Sequence, residues 1–185
     1  MNSDRIKNPP LEDVLAYTHS DVVHRFQKTY GLEYAQAEDI FVQVKKWLWL
    51  SHQRRLAGIK EGLSIDIPIV VLDEMWHNFV LFTKEYTAFC MDFFGYYLHH
   101  APATAEEERE HKAKLATLTG NERARARKDQ MRAQYEYIYD HLGKDTFVKW
   151  YLEYPKVFGY RRLAEMQLQA VDARLAAMQP RRMAA

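Results

Sequence analysis

Cysteine is almost absent from this 185-residue chain: Cys90 is the only one. An internal disulfide is therefore excluded, and the composition suits a reducing compartment. Excess charge is also lacking, since 26 Lys and Arg against 25 Asp and Glu leave a formal charge of +1. That balance argues against a dedicated nucleic-acid binder and gives no reason to invoke an acidic membrane surface. No apolar run approaches the roughly 18 residues that span a bilayer, and the opening "MNSDRIKNPP" has no apolar core of the signal-peptide kind. A soluble, cytoplasmic protein is expected. Repeats and low-complexity tracts are missing as well. What is present is a 48% apolar, 14% aromatic composition, which is that of a globular chain long enough for one domain with a core.

Strand signals are poor. The one β-branched run, "SIDIPIVVL", contains Pro68 and leads into a 3.6-residue period. Pro10 suits the first turn of a short helix through Tyr17, because its missing N–H would be unpaired there. Ser20 is the expected cap of the next helix, whose Val23, Phe26 and Tyr30 share a face before Gly31 stops it. A long helix should run from about Glu33 to Ala57, apolar nearly all round in its middle and therefore buried. Asp66 and Pro68 mark the start of a central helix to about Phe82, and Thr83 begins another that ends at Gly95. "YYLHHAP" is expected to be extended, since Pro102 disfavours helix before it. Thr104 with Glu107, and Thr119 with Glu122, form two capping boxes, which predict an antiparallel hairpin of charged helices over 104–117 and 120–142. Gly143 ends the second, Asp145 can cap "TFVKWYLEY", and a last helix carries Ala164, Leu168, Val171, Leu175 and Met178. The class is all-α, a bundle of about eight helices with a central helical hairpin. The expected division is a helical core over 1–158 and a C-terminal amphipathic helix, 159–185, packed on that core or at an interface.

Chemistry concentrates in one region. With Asp73 at zero on its helix and 100° per residue, His77 falls at about 40°, Glu74 at about 100° and Asn78 at about 140°. Val70 and Leu81 fall inside the same arc, so the arc should be at least partly buried, and buried polar groups need partners. On the following helix Tyr86, Phe89, Cys90 and Phe93 share a side, and His99 and His100 arrive on the extended segment. Asp73, Glu74, His77, Cys90, His99 and His100 thus offer carboxylate, imidazole and thiolate, the natural ligands of zinc and iron. The bland counterpart has a carboxylate orienting His77, Cys90 as a small core hydrophobe and the histidine pair lining a turn. Cys90 as a nucleophile is disfavoured by its mid-helix aromatic face, where burial would raise its pKa. Acid-x-x-His pairs at Asp21–His24, Glu74–His77 and Glu108–His111 raise a di-iron alternative. The run "RARARK" at 123–128 spreads its arginines over more than one helix face, so no basic stripe for nucleic acid results.

The stretch "LDEMWHNFVLFTKEYTAFCMDFFGYYLHHAP" resembles the signature segment of the glycine-rich domain-containing protein-like family. The resemblance rests on Asp73, Trp76, His77, Tyr86, Gly95 and the His99–His100 pair. Cys90 and the His-His-x-Pro feature are similar to the bacterial branch. Phe79 stands where plant relatives often carry a second histidine, which removes a His-x-His chelate. The resemblance covers residues 66–102 and implies a recurring Trp-His helix with no reaction attached.

The leading expectation is a metal-binding protein, zinc or iron, with His77 as anchor. His99 or His100, together with Cys90, are its expected companions, and Asp73 or Glu74 is a ligand or an orienter. The competing expectation is a helical interaction module in which the cluster is structural. A homodimer through the C-terminal helix is the partner expectation. No motif in the sequence names a substrate.

Overall fold

A computed structural model describes residues 6–59 and 62–178. Residues 1–5 of the expected core segment, 60–61, and 179–185 of the expected C-terminal helix lie outside the described residues. Among the described residues there is no strand. The elements are α1 (Leu11–Ala16), α2 (Ser20–Tyr30), α3 (Tyr34–Leu56), a 3-10 turn (Ile67–Ile69), α4 (Val70–Val80) and α5 (Thr83–Phe93). After these come α6 (Ala105–Ala116), α7 (Gly120–Val148), a π-helical turn (Lys149–Glu153), α8 (Tyr154–Val157) and α9 (Tyr160–Met178). Apart from the single turn of α8, these are the expected eight helices.

α3 is the axis of the molecule, in contact with α1, α2, α4 and α7. Ile40, Phe41, Val44, Trp47, Leu48 and Leu50 are buried along it, which explains why it needs little amphipathic contrast. Its start is fixed by Glu33 and Gln36, whose side chains and backbone N–H groups cap each other. α2 begins differently from the sequence expectation. The chain is extended at His19, whose imidazole accepts from the Val22 N–H at 3.4 Å, and Ser20 is already the first helical residue.

α4 and α5 form the expected central hairpin. α4 buries Val70, Val71, Leu72, Met75, Trp76, Asn78 and Phe79; α5 buries Tyr86, Phe89 and Cys90. The Phe79 ring meets Phe41, Tyr86 and Phe89 edge-on, with centroids 5.1–5.4 Å apart, a favourable geometry for aromatic quadrupoles. Gly95 then turns with φ 79°, and residues 97–104 run without regular structure to α6.

Both capping boxes form: Thr104 accepts from the Glu107 N–H and Thr119 from the Glu122 N–H, each glutamate reaching back to its threonine. The packed charged hairpin does not. α6 buries none of its residues, because its sequence offers no apolar stripe to press against α7. Gly143, at φ 78° and ψ 173°, breaks α7 into two helical stretches. The second passes into the π-helical turn, where Trp150 is buried beside Trp47 and donates its indole N–H to Gln43 at 3.0 Å. Lys149 pairs with Asp39 at 2.7 Å and the Tyr154 hydroxyl donates to the same carboxylate at 3.3 Å, tying this turn to α3. α9 lies along α2. It buries Leu163 and Met166, while Leu168, Leu175 and Met178 of the expected stripe stay exposed.

Candidate metal centre

Asp73 and His77 stand one turn apart on α4, so helix geometry alone places them on one face. His77 Nδ1 lies 3.5 Å from Asp73 Oδ2. His100 reaches the same spot from the segment after α5. Its Nε2 is 3.0 Å from His77 Nε2 and 3.3 Å from Asp73 Oδ1. One donor atom from each of the three side chains falls within 4.8 Å of the others. No other group of three or more histidine, cysteine or carboxylate side chains comes together in this way among the described residues.

The His100 ring is stacked on the Trp76 indole, centroids 3.9 Å apart and planes 21° from parallel. Trp76 is in turn fixed by its indole N–H, which donates to the Tyr86 hydroxyl at 2.9 Å. The Tyr86 hydroxyl donates to the Leu98 carbonyl at 2.6 Å. His100 is thus held flat against a buried plate, while His77 is open, its side chain 56% exposed against 17% for His100 and 29% for Asp73. The hydrogen bond from His100 and the charges of both imidazoles hold the Asp73 carboxyl below the usual carboxylate range, against the opposing effect of partial burial. That stabilisation belongs to the metal-free cluster, because imidazoles that ligate a metal must be neutral.

The cluster faces a cleft of about 1060 Å³. Leu63, Ile65 and Pro102 line it as apolar walls, and His99 and Glu107 add polar groups. The arc was expected to be at least partly buried; His77 and His100 do converge, but on an open cleft.

The remaining sequence candidates sit apart from the cluster. Glu74 turns toward α2 and accepts from the Tyr30 hydroxyl at 2.7 Å. Beside it Asn78 accepts from Arg25 at 2.6 Å and donates to the Val22 carbonyl at 2.9 Å. His99 is exposed and packs edge-on to Tyr97, centroids 4.8 Å apart. Cys90 is buried against Tyr86 and the Leu98 backbone, and burial pushes its thiol up, which keeps it protonated and blunts it as ligand or nucleophile. Asp21–His24 and Glu108–His111 do not join the cluster, so the paired motifs of a di-iron centre are not assembled. Sequence reasoning used Trp76 only as one of the residues of the resemblance and read Glu107 only as a cap. The short spacing from Trp76 to Tyr86 could have flagged the first, but nothing local marks Glu107 as a cleft residue.

No curated protein and no solved structure matches the chain. Residues 14–133 match the model of the UCP032817-like family. This corrects the resemblance to the glycine-rich domain-containing protein-like family, which rested mainly on seven scattered residues within 66–102. A pattern that short is easily shared by unrelated helical hairpins. The match takes in α2 through α6 as well as the Asp73–His77–His100 cluster, and on that extent the chain belongs to the UCP032817-like family.

Proposed function

We propose that the protein binds a divalent transition metal, zinc or iron(II), through Asp73, His77 and His100. The observation that carries this reading is the spacing of the donors. Two ligands each about 2.1 Å from a common cation stand roughly 3.0 Å apart at right angles and about 3.4 Å apart at the tetrahedral angle. His100 Nε2 lies 3.0 Å from His77 Nε2 and 3.3 Å from Asp73 Oδ1. One donor atom from each of the three side chains lies within 4.8 Å of the others, so two edges of the triad have this spacing and the third is equal or wider within that bound. Two imidazoles and one carboxylate are a ligand set used for catalytic zinc and for non-haem iron(II), where coordination positions stay open. A cation held here would have its free positions on the cleft side, where it could polarise a water or a ligand oxygen. The chain's own part is to present Asp73 ionised, to fix His100 against Trp76, and to leave His77 accessible.

Elemental analysis of protein purified without a metal-affinity tag tests the reading. Near-stoichiometric zinc or iron is expected. Affinity should fall by at least about 100-fold in His77→Ala and His100→Ala, beyond what loss of an outer-shell partner costs. A preparation that retains neither metal after loading and dialysis, and whose His77→Ala form merely melts earlier, would leave a structural cluster. The protein would then be a helical interaction module, for which the helix α6, with no buried residue, offers a free surface.

A further inference from the structure

We infer that Tyr86 is the positioning residue that assembles the Asp73–His77–His100 site, its one hydroxyl joining the two chain segments that carry the ligands. The inference rests on the metal-binding reading above. Asp73 and His77 belong to α4, whereas His100 lies beyond α5 on a stretch without regular structure. Among the described residues, no backbone–backbone hydrogen bond ties residues 96–103 to α4. The approach of His100 to His77 is therefore set by side chains.

Tyr86 is buried in the hairpin core, its ring edge-on to Phe79 and to Tyr97 with centroids 5.1 and 5.3 Å away. Its hydroxyl accepts from the Trp76 indole at 2.9 Å and donates to the Leu98 carbonyl at 2.6 Å. The first bond orients the indole on which the His100 ring rests. The second holds the chain two residues before His100. One oxygen therefore fixes both the plate and the segment that lays the imidazole upon it. The bond to Trp76 is buried and the bond to Leu98 partly so, and removing the oxygen would leave the buried indole N–H unpaired. Outer-shell partners that orient a ligating imidazole typically tune metal affinity by about 10–100-fold.

Tyr86→Phe keeps the ring and removes only the oxygen. In the metal-free protein, NMR should show the His100 ring protons losing the upfield displacement that stacking on Trp76 imposes. In a zinc titration the variant should bind at least about 10-fold more weakly than the wild type. Ile138→Val, a comparable trimming of a buried side chain on α7, should leave both readouts unchanged. The inference is overturned if Tyr86→Phe retains the ring displacement, or if its zinc affinity stays within twofold of the wild type. Equal loss in Ile138→Val would also overturn it, by showing general loosening. Should Tyr86→Phe fail to fold, hydrogen exchange in the wild type decides: slow exchange of the Trp76 indole N–H and the Tyr86 O–H supports the two bonds, and fast exchange of either overturns the inference. A wild type that takes up no zinc would sink the metal reading, and the ring displacement would then decide the role of Tyr86 alone.

Discussion

At Lys45 a cation is buried in the middle of α3, only 2% exposed. Its Nζ donates to the Leu15 and Tyr17 carbonyls, 2.5 Å each, at the end of α1, where helical carbonyls have no partner of their own. Burial pushes its pKa down from 10.5 to about 8, the nearby Glu38 opposing. Between those values the unfolded chain binds more protons than the folded one, so the contribution of Lys45 makes stability rise with pH across that window. Urea unfolding at pH 8, 9 and 10 should therefore show the wild type gaining on Lys45→Met as pH rises, although the variant is less stable at all three for want of a donor to both carbonyls. Parallel pH profiles would contradict this. The lysine was illegible in the sequence because it stands among apolar neighbours as any solvated lysine on a wide helix would; only the end of α1 gives it acceptors. His77 shows the converse. Its helix arc was readable, but its exposure depends on what the rest of the chain leaves uncovered.

The helices themselves were largely written in local signals. Glycine at 31, 58 and 143 takes φ between 64° and 78°, the left-handed region where a side chain is strained, and each marks a boundary that the sequence indicates. Gly143 is the sharpest case. A Cβ there would meet nothing within 4 Å, so Gly143→Ala isolates the backbone cost, expected at about 1–3 kcal/mol for this glycine-favoured region and measurable by denaturant unfolding. A neutral substitution would mean that the break in α7 relaxes at no cost. The capping boxes give a different expectation. Thr104→Ala should lose about 1 kcal/mol of helix stability that appears as faster amide exchange over α6 with little change in Tm, because α6 contributes no buried residue to the core. A cooperative drop in Tm would instead place α6 within the folding unit. What local signals did not convey was packing. The capping boxes start both charged helices, but capping satisfies N–H groups only; no apolar face exists on α6 to hold it down.

For the whole molecule, a site made of α4 and the segment after α5 links ligand binding to global stability. A metal that binds only the folded chain stabilises it by about 2.7 kcal/mol at a free concentration 100 times the Kd. Zinc should accordingly raise the Tm of the wild type in a concentration-dependent way and leave that of His77→Ala unmoved; an equal rise in both would place the binding elsewhere. Family membership spans residues 14–133, which contain both halves of the site, so the cluster belongs to the part of the chain that the family defines. The sequence by itself determined the all-α class, most helix limits and the joint occurrence of Asp73 and His77 on one helical face, because caps, breakers and the 3.6-residue period act within a few residues. Only the tertiary structure decided that His100 joins that face, that Glu74 and Cys90 turn elsewhere, and that His99 lines the same cleft without joining the triad. Those choices depend on contacts such as Tyr86 to Leu98 and Tyr30 to Glu74, between groups far enough apart along the chain that no local periodicity relates them.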